Sequence, residues 1–113
     1  MHRASKVWQV IINPVTGRGK ALRRWEKAAQ ALRETGLEWE VTLTKGPGHA
    51  TEVVEAAIRA GHRQFVGVGG DGTHHELING LLRSGLPAGE LCYALLPAGT
   101  GNDWVRTWGM PGD

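Results

Sequence analysis

The sequence contains a single cysteine among its 113 residues, Cys92, which excludes an internal disulfide and fits a reducing compartment. Long apolar runs are also missing, since no segment approaches the roughly 20 apolar residues that span a bilayer. The polar stretch 1–6 is followed by only a short apolar run, which argues against a secretory signal peptide. These absences predict a cytoplasmic protein.

The net charge is small as well, because 13 Lys and Arg residues against 11 Asp and Glu residues leave only +2. Nucleic-acid-binding domains usually carry a strongly basic face, so we expect no nucleic-acid partner. A small basic cluster does follow the first apolar run, and its size fits a phosphate site or a solvated helix face. Its members are Arg18, Lys20, Arg23 and Arg24.

Short apolar runs alternate along the chain with segments in which apolar residues recur every three or four positions. The runs predict strands at 7–12, 37–43, 65–68 and 91–96. The alternating pattern at 37–43 places that strand near a sheet edge. The periodic segments predict helices, and a last short helix is expected to carry Trp104 and Trp108. Together they predict an α/β fold with three α/β/α layers and a mostly parallel sheet.

Apolar residues at helical spacing define one face of each main helix. These residues are Leu22, Trp25, Ala29 and Leu32, then Ala50, Val53, Val54, Ala57 and Ile58, then Leu77, Ile78, Leu81 and Leu82. Gly36 fits a stop signal after the first of these helices.

The most informative stretch, 69–73, joins the third predicted strand to the next helix and reads Gly-Gly-Asp-Gly-Thr. Glycines let a phosphate approach the backbone closely, and a helix N-terminus attracts anions. Thr73 and Glu76 fit a capping box, which predicts the helix start at this point. Asp71 would repel a phosphate unless it held a divalent metal or took a proton from an attacking hydroxyl. The alternative is a plain glycine-rich turn with Asp71 as a turn residue.

Three other loops follow predicted strands in the same way. The carboxyl ends of parallel strands share one edge of a sheet, and ligands bind in the crevice beyond that edge. We therefore expect one binding rim formed by 13–17, Thr44, 69–73 and 99–103.

Four motifs in this order resemble the catalytic domain of the diacylglycerol kinase-like lipid kinases, a family that includes sphingosine and ceramide kinases. The motifs are Asn13-Pro14-x-x-Gly17, Thr44-x-x-x-Gly48-His49-Ala50, Gly69-Gly70-Asp71-Gly72-Thr73-x-x-Glu76-x-x-Asn79-Gly80 and Pro97-x-Gly99-Thr100-x-Asn102-Asp103. NAD kinases and phosphofructokinases carry something similar to the Gly-Gly-Asp-Gly segment alone. The implied fold is similar to the N-terminal domain of the NAD kinase/diacylglycerol kinase-like fold.

The resemblance implies that ATP and Mg²⁺ bind at the rim and that a phosphoryl group passes to a lipid hydroxyl. It implies two roles for Asp71, metal coordination or activation of the acceptor hydroxyl, and both stay open. The implied nucleotide-binding residues are Asn13, Pro14, Val15, Thr16, Gly17, Thr44, Gly69, Gly70, Gly72, Thr73, His74, His75, Glu76, Gly99, Thr100 and Asn102.

Lipid kinases of this family resemble two-domain proteins whose second, β-rich domain closes the cleft, and nothing in this sequence corresponds to that domain. Residues 1–113 are therefore expected to form the nucleotide-binding half, inactive alone, of an enzyme that meets its lipid acceptor at a membrane surface. An exposed C-terminal segment with Trp104 and Trp108 would favour a homo-oligomer. Two alternatives stay open: an NAD kinase-like domain, and a non-catalytic nucleotide- or phosphate-binding module.

Several of these residues also have simpler interpretations. Glu76 is equally compatible with a helix cap, and Asp103 fits a cap slightly better than a ligand contact. His74 and His75 are adjacent on a helix and do not share a face, so solvated or phosphate-facing side chains are expected rather than a metal pair. Asn79-Gly80 inside a helical pattern indicates close packing against a neighbouring segment.

Overall fold

Strands and helices alternate along the chain in the computed structural model, which describes residues 6–97 and, further on, the backbone of 106–109. All four predicted strands are present, each within two residues of its predicted bounds. The elements are β1 (Trp8–Ile12), α1 (Lys20–Leu32), β2 (Trp39–Leu43), α2 (His49–Arg59), β3 (Gln64–Gly69), α3 (Asp71–Arg83), β4 (Cys92–Pro97) and β5 (Arg106–Gly109). A 3₁₀ turn extends α1 to Gly36, whose left-handed φ of 80° ends the helical segment as predicted.

The strands of the described chain form one sheet in the order β2-β1-β3-β4-β5. The pairs among the first four strands are parallel, whereas β5 runs antiparallel to β4. β2 lies at the edge, which confirms the expectation drawn from its alternating pattern. The sheet is thus mostly parallel, as predicted.

The last element differs from the prediction, because Trp108 belongs to strand β5 and not to a short helix. Trp108 is paired with Tyr93 of β4 in the antiparallel register. Thr107 and Trp108 both favour strands, and β4 offers an open edge to which the returning chain can bond. The other residues of the predicted helix and its caps, Asn102, Asp103 and Trp104, lie outside the described residues.

Two apolar cores, one on each face of the sheet, give the three-layer arrangement. On one face Ile11 and Phe65 pack with α2 and α3. On the other face Val10 and Ile12 pack with α1, mainly against Trp25. Successive side chains of β1 therefore point to opposite faces of the sheet, as the pleat of a strand requires. Trp25 is buried and meets the ring of Trp39 edge to face, with 5.5 Å between ring centroids.

Gly80 allows α2 and α3 to approach each other closely. A Cβ at position 80 would lie 2.9 Å from Cβ of Val54 and 3.1 Å from the carbonyl oxygen of Thr51, both on α2. The close packing predicted for this glycine is therefore confirmed, with α2 as the partner. The buried face of α3 contains Leu77, Gly80 and Leu81, and Ile78 and Leu82 lie outside it and are exposed, which differs from the predicted apolar face.

The topology opens a crevice between β1 and β3 at the carboxyl ends of the strands. The chain leaves β1 through α1 on one face to reach β2 on one side, and returns through α2 on the other face to reach β3 on the other side. Ligand sites of α/β sheets lie at such a switch point. None of the helices in the described part of the chain has the length and apolar character needed to cross a bilayer.

Candidate functional site

A cleft of about 310 Å³ lies on the rim, where β1, β2 and β3 end. Six of its lining residues were predicted from the sequence: Asn13, Val15, Thr44, Gly72, Thr73 and Glu76. The remaining lining residues are Lys45, Gly46, Pro47 and Ala50. The structure therefore brings three of the four predicted loops to one cleft. The fourth contains Gly99, Thr100 and Asn102, which lie outside the described residues.

The loop after β1 is held to β3 and turns sharply towards α1. The Asn13 N–H donates to the carbonyl oxygen of Val68 at 3.1 Å, and the Asn13 Oδ1 accepts from the Val15 N–H at 3.2 Å. Residues 17–19 all have left-handed φ values, of 62°, 57° and 87°. Glycine adopts left-handed φ values without a steric penalty, so Gly17 and Gly19 suit this turn on either side of Arg18.

The loop after β2 continues the parallel pairing before it turns. The Thr44 N–H donates to the carbonyl oxygen of Ile12 at 2.8 Å, which brings Thr44 beside the end of β1. The Nδ1 atom of His49 accepts the Lys45 N–H at 2.9 Å. His49 therefore braces this loop internally, while Thr44 and Lys45 face the cleft.

Each glycine of the 69–73 stretch has a different structural environment. A Cβ on Gly69 would lie 2.8 Å from Oγ1 of Thr73, so the close turn into α3 excludes any side chain there. Gly70 is extended, and a Cβ at this position would be in ordinary contact with the loop after β1, 3.5 Å from Cγ2 of Thr16. At Gly72 no described atom lies within 4 Å of the Cβ position, so this backbone is open on the cleft side.

Helix α3 begins at Asp71, three residues earlier than a capping box with Thr73 as the N-cap predicts, so that prediction is wrong. Gly70 is the N-cap residue, and no side chain of the described chain caps this terminus. Thr73 is the third residue of the helix and buried, because the glycines allow the chain to turn earlier. The N–H groups of residues 71–73 have no acceptor within the helix, which leaves them available to an anion.

Glu76 joins α3 to the start of α2. Its Oε1 accepts the Gly48 N–H at 3.1 Å, and its carbonyl oxygen accepts the hydroxyl of Thr51 at 2.8 Å. The carboxylate thus caps the neighbouring helix rather than its own, and the positive end of the α2 dipole stabilises its charge. Glu76 also lines the cleft, and its role towards a nucleotide stays a prediction.

His74 and His75 point to different environments, and the expectation of a solvated or phosphate-facing side chain is wrong for His74. His74 is buried, with Nδ1 2.6 Å from the hydroxyl of Tyr93 and Nε2 3.2 Å from the carbonyl oxygen of Gly69. Burial lowers the pKa of His74 to about 4, although the bond to Gly69 and the charge of Asp71 act to raise the pKa. His75 is exposed.

The fit of the rim to Mg²⁺ rests on Asp71. Magnesium prefers oxygen ligands and is commonly held by one or two carboxylates together with phosphates and water. Asp71 is exposed at the first position of α3, whereas the Glu76 carboxylate is occupied by Gly48. The described residues contain no cluster of three or more His, Cys, Asp or Glu that could hold a metal. The donors therefore suit a metal held chiefly by a nucleotide, with Asp71 as its protein ligand.

The comparison with known families agrees with this geometry. The family described as "Diacylglycerol kinase catalytic domain" matches residues 7–113. This chain belongs to that family. The match spans all four motifs and favours a lipid kinase over an NAD kinase-like domain.

Similar proteins and structures come from bacteria and fungi. "Probable lipid kinase YegS-like" of Pseudomonas aeruginosa is 43% identical over 84 residues, which cover 74% of this chain and 27% of that protein. "Sphingoid long chain base kinase 4" of Schizosaccharomyces pombe is 35% identical over 103 residues, covering 88% of this chain and 22% of that protein. A solved structure from Bacillus anthracis str. Sterne, assigned as a diacylglycerol kinase, has a TM-score of 0.69 at 26% identity and covers 84% of this chain and 33% of its own. The chain thus spans about a quarter to a third of the length of these relatives.

Proposed function

We propose that this chain is the ATP-binding part of a lipid kinase catalytic domain that transfers the γ-phosphoryl group of ATP to a lipid hydroxyl. The observation that carries the proposal is the uncapped start of α3, which lies at the cleft with the exposed Asp71 as its first residue. A polyphosphate with a bound cation would match both features, because the backbone amides attract anions and the carboxylate attracts the cation. Membership of the diacylglycerol kinase catalytic domain family supports the same activity.

The residues of the cleft divide the binding of ATP between them. The N–H groups of 71–73 would donate hydrogen bonds to the phosphates, and the loop 13–17 would lie along the phosphates and sugar. Thr44 would hydrogen-bond the nucleotide from the other side of the cleft, and the cationic Lys45 next to it would attract a phosphate or hydrogen-bond the base. Such groups act by positioning and by neutralising charge, which is most of what phosphoryl transfer requires.

Asp71 is the proposed ligand of Mg²⁺. Bound magnesium would supply neutralisation of the phosphate charge. Asp71 would orient the nucleotide's phosphates through that cation, and its position at the rim also suits acceptance of a proton from the lipid hydroxyl. The two roles predict different behaviour in the binding experiment below.

The acceptor lipid and the rest of the enzyme are part of the same proposal. We assign the acceptor to lipids with a free hydroxyl, of the diacylglycerol or sphingoid type, presented at a membrane surface. A second domain would close the cleft over the nucleotide and complete the site for that acceptor. The chain alone would bind ATP without transferring its phosphoryl group.

Calorimetric titration of the chain with ATP, with and without Mg²⁺, tests the proposal. Binding should be tighter with Mg²⁺, and in thermal unfolding ATP at tenfold its Kd should stabilise the fold by about 1.4 kcal/mol, roughly 6 °C in Tm for a domain of this size. Asp71→Asn should remove the gain due to Mg²⁺ if Asp71 is the metal ligand and keep it if Asp71 is only a base.

Glu90→Gln provides the matched control, because it removes an exposed carboxylate just before β4. This position is at the amino ends of the strands, whereas the cleft lies at their carboxyl ends. This variant should bind ATP as the unaltered chain does. No binding at millimolar ATP would contradict the proposal. Equal binding with and without Mg²⁺ would favour a non-catalytic nucleotide-binding module.

A further inference from the structure

A buried polar pair lies directly beneath the turn that carries Asp71. His74 of α3 and Tyr93 of β4 are both buried, and their rings meet at a centroid distance of 6.2 Å. The Tyr93 hydroxyl lies 2.6 Å from Nδ1 of His74. The other ring nitrogen, Nε2, lies 3.2 Å from the carbonyl oxygen of Gly69, the last residue of β3. The pair thus connects β4, α3 and the end of β3.

The direction of each hydrogen bond follows from the chemistry of the groups. A carbonyl oxygen can only accept, so Nε2 of His74 carries the proton and donates it to Gly69. In a neutral imidazole Nδ1 is then an acceptor, and the Tyr93 hydroxyl donates to it. Burial raises the pKa of Tyr93 well above its ordinary value, so the hydroxyl keeps its proton. All three groups are satisfied in one arrangement only.

The carbonyl groups at the end of β3 have different partners. Val68 directs its carbonyl oxygen to the Asn13 N–H on the β1 side. The next carbonyl oxygen, that of Gly69, accepts from Nε2 of His74. The ring of His74 supplies a donor at the point where the strand ends and the turn begins.

The sequence of β3 makes room for the pair. A Cβ at Gly67 would collide with Leu77 and with the hydroxyl of Tyr93, and it would lie 3.1 Å from Nδ1 of His74. Glycine at this position is therefore required by the pair and by the packing of α3 on the sheet, since its φ is not left-handed. Three positions on three elements depend on one another.

We propose that His74 and Tyr93 are positioning residues for the nucleotide site, which hold the Gly69 carbonyl and thereby set the direction of the 70–73 backbone and of the Asp71 carboxylate. The proposal rests on the proposed function. A turn with glycines at 69, 70 and 72 is conformationally permissive, so its amides are aligned for a ligand only if something fixes them. Order established before binding raises affinity, because the ligand need not supply it.

Nuclear magnetic resonance on the ligand-free chain tests the first half of the proposal. The ring nitrogens of His74 should show the neutral form with the proton on Nε2, and the amides of Gly70 and Gly72 should each give one sharp signal. In His74→Leu these amides should broaden or exchange faster with solvent. A ring with its proton on Nδ1, or unchanged amides in His74→Leu, would overturn the proposal. This measurement needs no nucleotide, so it decides about the pair even if ATP does not bind.

Titration with ATP and Mg²⁺, at a temperature at which every variant is folded, tests the second half. His74→Leu should weaken binding about tenfold, on the scale of one lost buried hydrogen bond, and Tyr93→Phe should weaken it less. His74→Gln should restore most of the affinity, because the glutamine amide nitrogen can take the place of Nε2. Ile58→Val, a core change in α2 away from the turn, should lower stability and leave the affinity unchanged.

The outcomes separate the two proposals. Full affinity in a folded His74→Leu, or an equal loss in His74→Leu and Ile58→Val, would overturn the positioning role while leaving the ATP site intact. Failure of the unaltered chain to bind ATP would overturn the proposed function. A proton on Nε2 together with amides that lose their order in His74→Leu would still support the pair as the element that fixes the turn.

Discussion

His74 and His75 are adjacent in sequence, but His74 is buried and His75 is exposed. A helix turns by about 100° per residue, so His74 falls on the face of the buried Leu77 and Leu81 and His75 falls outside it. The spacing 74, 77, 81 in the sequence already indicates that His74 shares this buried face. The interpretation of the glycine motif as a phosphate site favoured the opposite expectation. The partner of His74 was beyond prediction, because Tyr93 comes from a strand 19 residues later and only the fold brings the two together.

The buried imidazole makes the stability of this chain dependent on pH. The pKa of His74 is lowered from 6.5 to about 4, so between these values the unfolded chain binds a proton that the folded chain does not. Stability is therefore retained above pH 6.5 and lost as the pH falls towards 4, with an added slope of up to about 1.4 kcal/mol per pH unit. The charge of Asp71 opposes the shift and limits the width of this window.

Urea unfolding of the chain and of His74→Gln from pH 7.5 to pH 4.5 measures this slope. The variant has no group that titrates at position 74, and both proteins keep the other histidines, so the difference between the two curves isolates His74. The curves should diverge below pH 6.5, with the unaltered chain losing stability faster. Curves that stay parallel over the whole range would contradict the prediction.

At the scale of the elements, patterns within short stretches of sequence predicted the helices and strands whose formation depends mainly on those stretches. The apolar runs and helical spacing gave β1 to β4 and the three helices of the described chain, because burial of one face follows from period alone. The start of α3 was misplaced, since Gly69 has no side chain and the chain can turn closely past Thr73 at this point. β5 was missed because the strand at Trp108 exists through pairing with β4, which is not a local property.

The contact between α2 and α3 predicts the effect of a methyl group at Gly80. Gly80→Ala should gain about 1 kcal/mol in helix propensity. It should lose about 1–3 kcal/mol through overpacking against Val54 and the Thr51 carbonyl. We expect a net destabilisation of about 1 kcal/mol, seen as a fall in Tm of about 4–8 °C.

Asn79→Ala is the matched control for this change. It lies one residue earlier on the same helix, is exposed, and gains propensity without a new contact. It should raise Tm slightly or leave it unchanged. A rise in Tm for Gly80→Ala that equals the rise for Asn79→Ala would show that α2 moves aside at no cost and would contradict the prediction.

At the scale of the whole molecule, the position of the site was the most predictable property. Asn13, Thr44 and Gly72 come from three loops far apart in sequence, and the rule for carboxyl ends of parallel strands places all of them at one cleft. The rule concerns backbone direction, so it does not reveal which side chains face inward, and His74 shows that limit. The Thr100 loop and Trp104 lie outside the described residues, and self-association through the C-terminal segment stays a prediction.

The share of its relatives that this chain covers leads to a prediction for activity. The chain spans 27% of the Pseudomonas aeruginosa protein that it resembles, and we expect it to bind ATP without phosphorylating a lipid. Incubation with radiolabelled ATP, Mg²⁺ and vesicles containing diacylglycerol or a sphingoid base measures this directly. A full-length relative under the same conditions is the positive control. Labelled lipid formed by the chain alone, and abolished in Asp71→Asn, would contradict the expectation.

The rim loop contains one residue in a backbone conformation that its side chain disfavours. Arg18 has a φ of 57°, and it is the single non-glycine residue with positive φ in the described part of the chain. The left-handed region costs a side-chain-bearing residue roughly 1–2 kcal/mol, which a third glycine between Gly17 and Gly19 would avoid. Conformational strain in the loop after β1 is thus located at an exposed arginine, so the glycine that would relieve it would also remove one positive charge from this loop.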